Sequence, residues 1–96
     1  MHNRRPMRVE FIAPAMAILS ALPEDDARQA RDLVRRLRAA ATPVGKRVSK
    51  QASRYEASLG NKGVLVQYDF LEGSATVVKV LSSVRRALID SETERT

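Results

Sequence analysis

Nine basic residues fall between positions 28 and 54: Arg28, Arg31, Arg35, Arg36, Arg38, Lys46, Arg47, Lys50 and Arg54. Asp32 is the single acid among them. That local excess of eight exceeds the net +6 of the whole 96-residue chain. Positive charge concentrated in one segment is the electrostatic footprint of a polyanion binder. Such an excess favours nucleic acid, ribosome, an anionic membrane or an acidic protein as partner. Other chemistries are excluded. The chain has no cysteine, so it has no disulfide framework, cysteine zinc site or thiol nucleophile. His2 is the one histidine, which excludes a histidine metal centre and a Ser-His-Asp triad. No cofactor is expected.

Each cation also has an ordinary reading. Arg28, Arg31, Arg35 and Arg38 repeat at intervals of 3, 4 and 3 on one helical face. Asp25 and Asp32 stand three residues before Arg28 and Arg35, so those two have local partners available. Arg31, Arg36 and Arg38 have no equally placed acid. Lys46, Arg47, Lys50 and Arg54 lie in a polar stretch and at a strand start with no acid nearby, which suits phosphate contact better than a solvated helix face does. Lys62 and Lys79 stand singly. Arg85 and Arg86 follow the last strand, where a guanidinium pair could reach a phosphate or carboxylate. The expected nucleic-acid contacts are therefore Lys46, Arg47, Lys50, Arg31, Arg38 and Arg85. Candidates for acid–base work are few. Glu56, Ser58, Gln67 and Asp69 are the outward polar residues of two strands, and Glu56 could pair with Asp69 if those strands align. Tyr55 and Tyr68 fit the inward pattern. Gly60 and Gly63 read as hairpin glycines, not a phosphate-cradling loop.

The elements that must position these groups follow from periodicity. Residues 7–12 alternate as a strand, with Met7, Val9 and Phe11 on one face. Pro14 fits the first turn of a helix over 15–21, rich in Ala, Leu, Met and Ile and therefore buried. Leu22-Pro23-Glu24-Asp25-Asp26 restarts a helix, the acids suiting its positive end. That helix runs over 23–41 on a stripe of Ala27, Ala30, Leu33, Val34, Leu37 and Ala41, and Thr42-Pro43 ends it. Residues 46–53 read as a basic loop. Residues 54–59 and 64–71 alternate as two strands about a hairpin loop at 60–63. Residues 75–81 are β-branched and apolar, hence a central strand. Ser83 would cap a short helix over 84–90.

The order β-α-α-β-β-β makes an α+β fold of one domain. Two helices pack on one face of a four-stranded, mostly antiparallel sheet, with a short C-terminal helix and polar ends at 1–6 and 91–96 expected to be disordered. The first strand must pair with a strand distant in sequence, and its register is not legible. No apolar run approaches the roughly 20 residues of a membrane span. Glu10 interrupts the signal-like start set by Arg4, Arg5 and Arg8. A cytoplasmic protein without a membrane role is expected.

Four segments, "MRVEF", "APAMAILSALPEDDARQARDLVRRL", "RYEASLGNKGVLVQYDF" and "ATVVKVLSSVRRALID", resemble the RelE/ParE superfamily of type II toxin–antitoxin toxins over about residues 7–90. The carriers are the Leu22-Pro23 junction, the Tyr55 strand, Val66-Gln67-Tyr68 and the strand leading to Arg85-Arg86. The resemblance implies a toxin held by an acidic antitoxin, with homo-oligomers possible. Its target would be ribosome-bound mRNA, cut by an endoribonuclease, or DNA gyrase, inhibited by binding. In the nuclease branch, lysines and arginines orient the phosphate and the RNA 2′-hydroxyl attacks. The lysines that branch carries fall here at Glu56 and Ser58, its third-strand arginine at Leu65, and its terminal tyrosine near Glu92. Only Arg86, or Arg85 with a one-residue slip, keeps its place. An active nuclease would thus be divergent, using Arg86, Arg54 and Lys50 with Lys46. A third reading is an inert basic module that binds nucleic acid or protein.

Overall fold

Residues alternating apolar and polar across residues 7–11 form the first strand, β1 (Arg8–Phe11). The structure, a computed structural model, describes residues 7–40, 42–50, 52–60 and 62–94. The expectations for residues 1–6 and for Ala41 lie outside the described residues. Helices α1 (Ala13–Ser20) and α2 (Glu24–Ala39) follow. Then come β2 (Lys46–Arg47), β3 (Arg54–Ser58), β4 (Leu65–Leu71) and β5 (Ser74–Leu81), and α3 (Ser83–Glu94). The sheet has five strands, not four, in the order β1-β5-β4-β3-β2. The fifth is β2, two exposed residues inside the expected basic loop, paired antiparallel to β3.

The helices cover one face of the sheet. Ala15 of α1 and Ala30, Leu33 and Leu37 of α2 pack on Ala57, Val64, Val66, Tyr68, Ala75, Val77 and Val80. β5 is central, as its β-branched run predicts. It is antiparallel to β4 on one side and parallel to β1 on the other, with Val9 opposite Ala75 and Phe11 opposite Val77. The β4–β5 register jumps from Gln67–Lys79 to Tyr68–Val77. The bulge leaves Val78 extra, so Val77 and Val80 both turn inward while Lys79 turns out.

Two helices differ from expectation. Helix α1 buries only Ala15, and Met16 and Ile18 are exposed. Its uniform apolarity gave no sign of which side faces the sheet. Helix α3 is longer than expected and runs through residues 91–94; 95 and 96 lie outside the described residues. Its cap is Ser82, not Ser83: the Ser82 hydroxyl accepts the Arg85 N–H at 3.1 Å. Ser83 instead donates its N–H and hydroxyl to Asp26, at 3.0 and 3.1 Å. Buried Asp26 thus sits at the positive ends of α2 and α3 together. The described chain measures 51 × 32 × 24 Å.

Tyr68 ties the segment before β2 to the core. Its fully buried hydroxyl accepts the Val44 N–H at 2.7 Å and donates to the Val44 carbonyl. Its ring stacks on Tyr55 at 5.9 Å. Gly45 comes next at φ +92°, a conformation that side chains other than glycine's rarely adopt, and a Cβ there would collide with the Glu56 carbonyl of β3.

Burial raises the Tyr68 pKa, against the lowering effect of its Val44 hydrogen bond. Unfolded tyrosine ionises at about pH 10. Folded Tyr68 keeps its proton longer, so its contribution to stability is complete below about pH 10 and is lost as pH rises through the folded value. Tyr68→Phe should lower stability at neutral pH by about 1–3 kcal/mol, because two main-chain groups lose their partner. It should also shrink the alkaline loss, measured as Tm against pH from 8 to 11.

Candidate functional site

The helix-free face of the sheet gathers the outward polar side chains into cross-strand rows. One row runs Glu10, Thr76, Asp69, Arg54 across β1, β5, β4 and β3. The next runs Lys79, Gln67, Glu56, Lys46 across β5, β4, β3 and β2. Arg54 opposite Asp69, and Glu56 between Gln67 and Lys46, set opposite charges or amides side by side, the arrangement that stabilises antiparallel pairs.

In the first row Arg54 holds Asp69 with two parallel hydrogen bonds, Nε to Oδ1 at 2.7 Å and an Nη to Oδ2 at 3.0 Å. This fork lowers the Asp69 pKa, chiefly through the Arg54 hydrogen bond, and raises that of Arg54. Glu56 and Asp69 do not form a carboxylate pair; each sits in an ordinary cross-strand polar pair. Register places Asp69 opposite Arg54 and Glu56 opposite Gln67.

In the second row Glu56 lies between amide and cation. Gln67 Nε2 donates to its Oε1 at 3.3 Å, and Lys46 Nζ stands 3.9 Å from its Oε2. The Glu56 side chain is 22 % exposed. Lys79, exposed and opposite Gln67, has no ion pair among the described residues. A carboxylate with one lysine beside it and a second two strands away can act as a base while the lysines hold an anion. Sequence reasoning did not assemble this group. Outward alternation marks Glu56, Gln67 and Lys79 singly, but only the register joins them, and the sequence of β2 reads as loop.

The expected site residues fall into three groups. Lys46, Arg47, Lys50 and Arg54 gather at the β2–β3 edge. Arg54 is committed to Asp69, and Arg47 Nε donates to the Ser49 carbonyl at 2.9 Å. Lys50 has no acid partner among the described residues. Arg31 and Arg38 lie on α2, lining a cleft beside β1. Arg31 pairs with Glu24 at 3.7 Å, so the two-turn partner, not one at three residues, supplies its acid. Arg35 pairs with Asp32 at 3.3 Å as its spacing predicts. β1 and β2 are opposite edges, four strand spacings or roughly 19 Å apart. Arg85 and Arg86 begin α3. Arg86 Nη1 donates to the carbonyls of Gly60 and Gly63, at 2.9 and 3.1 Å, clasping the β3–β4 hairpin. The cations therefore do not make the one continuous belt that their clustering in sequence suggests, because the chain crosses the sheet between α2 and β2.

Two helices on a largely antiparallel sheet, the first strand parallel to the last and a helix closing the chain, define the class. No protein-family model matches the chain, and no curated protein matches it in sequence. Among solved structures it is similar to the crystal structure of the isolated E. coli RelE toxin, with a TM-score of 0.61. The match covers 93 % of this chain and 97 % of that one at 17 % identity. The chain has the RelE toxin fold, as its sequence resemblance implies.

Asp69→Asn removes the charge that Arg54 neutralises. It should raise affinity for single-stranded RNA and steepen the slope of log K against log salt by about 0.7, the contribution of one added phosphate contact. Fluorescence titration at several salt concentrations measures this, and an unchanged slope would show that Arg54 adds no phosphate contact.

Proposed function

We propose that this protein is the toxin of a type II toxin–antitoxin pair, acting on ribosome-bound mRNA as an endoribonuclease with a divergent site. The observation that carries the reading is the Lys46–Glu56–Gln67–Lys79 row on the open sheet of a RelE fold. In this reading Glu56 removes the proton from an RNA 2′-hydroxyl. The freed oxygen attacks the adjacent phosphorus, forming the O2′–P bond and breaking the P–O5′ bond. The products are a 2′,3′-cyclic phosphate and a 5′-hydroxyl whose proton comes from a lysine ammonium. Lys46 and Lys79 stabilise the charge that builds on the phosphoryl oxygens, a contribution worth several kcal/mol in a preorganised site. Lys50 and Arg47 hold flanking phosphates, and Arg85 adds a contact at α3. Arg86 acts through the hairpin it clasps. Arg54 joins only where RNA displaces it from Asp69. The step as written needs no metal.

An acidic antitoxin would neutralise these cations, and a cytoplasmic location follows from a ribosomal target. Among the described residues no helix is long and apolar enough to cross a membrane. Homo-oligomers are compatible with the exposed Val84 and Leu88 of α3.

A second reading, a ParE-like toxin that inhibits gyrase by binding, is favoured by one specific observation. Arg54 and Arg86 are both engaged internally, by Asp69 and by the hairpin carbonyls, which leaves less charge for transition-state stabilisation.

Induced expression in a bacterium should arrest growth, and ribosome-bound mRNA should acquire cuts in the A site, mapped by primer extension. Glu56→Gln should slow cleavage by about 10²–10⁴, the usual worth of a general base, while leaving the far-UV spectrum unchanged. Arrest with uncut mRNA and inhibited gyrase supercoiling would establish the second reading, and harmless expression would leave a basic binding module.

A further inference from the structure

Helix α1 is apolar throughout yet buries only Ala15. Its Leu19 forms one side of a groove of about 450 Å³, shared with Phe11 of β1 and with Ala27, Ala30 and Val34 of α2. The other groups lining it among the described residues are Arg31, Arg35 and Arg38. An apolar hollow of this size with a few charged groups at its margin has the form of a small-molecule site.

The groove is polarised along α2. Helix α1 ends at Ser20 and α2 begins at Glu24, so Leu19 and Ala27 stand together at one end, which is purely apolar. Arg38 stands at the other end, where its carbonyl accepts the Met7 N–H at 2.9 Å and β1 begins. Arg31 and Arg35 already hold Glu24 and Asp32, at 3.7 and 3.3 Å. Arg38 has no ion pair among the described residues. One uncommitted guanidinium therefore faces a hydrocarbon-lined channel. A nucleic-acid strand gains nothing from that lining and draws its affinity from many free cations. A single carboxylate needs one, and the guanidinium fork matches its geometry.

We propose that this groove binds a free, unbranched aliphatic carboxylate, with its head on Arg38 and its tail against Leu19 and Ala27. The dimensions set the chain length. From Ala27 to Arg38 the helix rises about 16 Å. An extended chain of about a dozen carbons, advancing about 1.3 Å per carbon along its zigzag, spans that distance. The site lies on the helix side of the sheet and shares no residue with the Glu56 row on the open face, so it stands apart from the proposed RNA chemistry.

The test titrates the full, isotope-labelled chain with octanoate through hexadecanoate, each below its micelle-forming concentration. Resonances of Leu19, Ala27 and Val34 should shift. Each added methylene should tighten binding about two- to fourfold up to about a dozen carbons, and the gain should then stop because the chain end has passed Leu19. Arg38→Ala should weaken decanoate at least fivefold and leave decanol unchanged, and decylammonium should bind at least tenfold more weakly than decanoate. Ala27→Leu, which fills the apolar end, should move the optimum to shorter chains. If that variant does not fold, the chain-length series on the unaltered protein decides. Affinity that climbs steadily to hexadecanoate would show unspecific partition and overturn the proposal. So would equal binding of decylammonium, or shifts centred on the exposed Val84 and Leu88 of α3. Groove shifts produced by phosphatidylglycerol vesicles, an acidic peptide or single-stranded RNA, with none from dodecanoate, would assign the groove to that partner and overturn it as well. None of these readouts involves growth arrest or RNA cleavage, so this site and the toxin reading fail separately.

Discussion

Everything on the open face depends on one buried phenol. Tyr68 stands in the middle of β4, and its hydroxyl satisfies both main-chain groups of Val44. A buried hydroxyl without partners would cost a few kcal/mol. That constraint fixes where the chain must pass after α2. Once Val44 is pinned, Gly45 turns tightly against the Glu56 carbonyl, and Lys46 falls opposite Glu56. The lysine–carboxylate contact is thus a product of core packing, not of attraction between two surface charges, which alone contribute little.

The sheet divides its two faces sharply. The helix side is filled by small and branched residues around Tyr68, with Tyr55 and Phe70 meeting edge to face. The open side carries the Arg54–Asp69 fork and the Lys46–Glu56–Gln67–Lys79 row. A polyanion arriving there competes with partners already in place, most strongly at Arg54, whose fork with Asp69 matches guanidinium to carboxylate geometry. Among the described residues Lys50 and Lys79 have no such competitor. The number of cations free to bind is therefore smaller than the count of lysines and arginines implies, and it is set by pairing rather than by composition.

Much of the frame was legible in the residues. The 3–4 stripe of α2, the acids at its start, the alternation of β4 and the apolar run of β5 each reflect a local periodicity that burial enforces. What was illegible is non-local. Nothing near Val9 announces a parallel partner at Ala75, and nothing near Val78 announces a bulge. Lys46 and Arg47 look like loop residues because their strand is defined by β3, not by their own sequence. Asp69 could be matched to Arg54 or to Glu56 until register chose. The site suffers most from this, since its parts come from β2, β3, β4 and β5 and meet only across strands.

The outline of the molecule has a practical consequence. A body 51 Å long and 24 Å thick tumbles and diffuses more slowly than a sphere of equal mass. A single 10.7 kDa chain would therefore elute early from a sizing column and imitate a heavier particle. Light scattering, which weighs particles without reference to their shape, separates an elongated monomer from a true assembly.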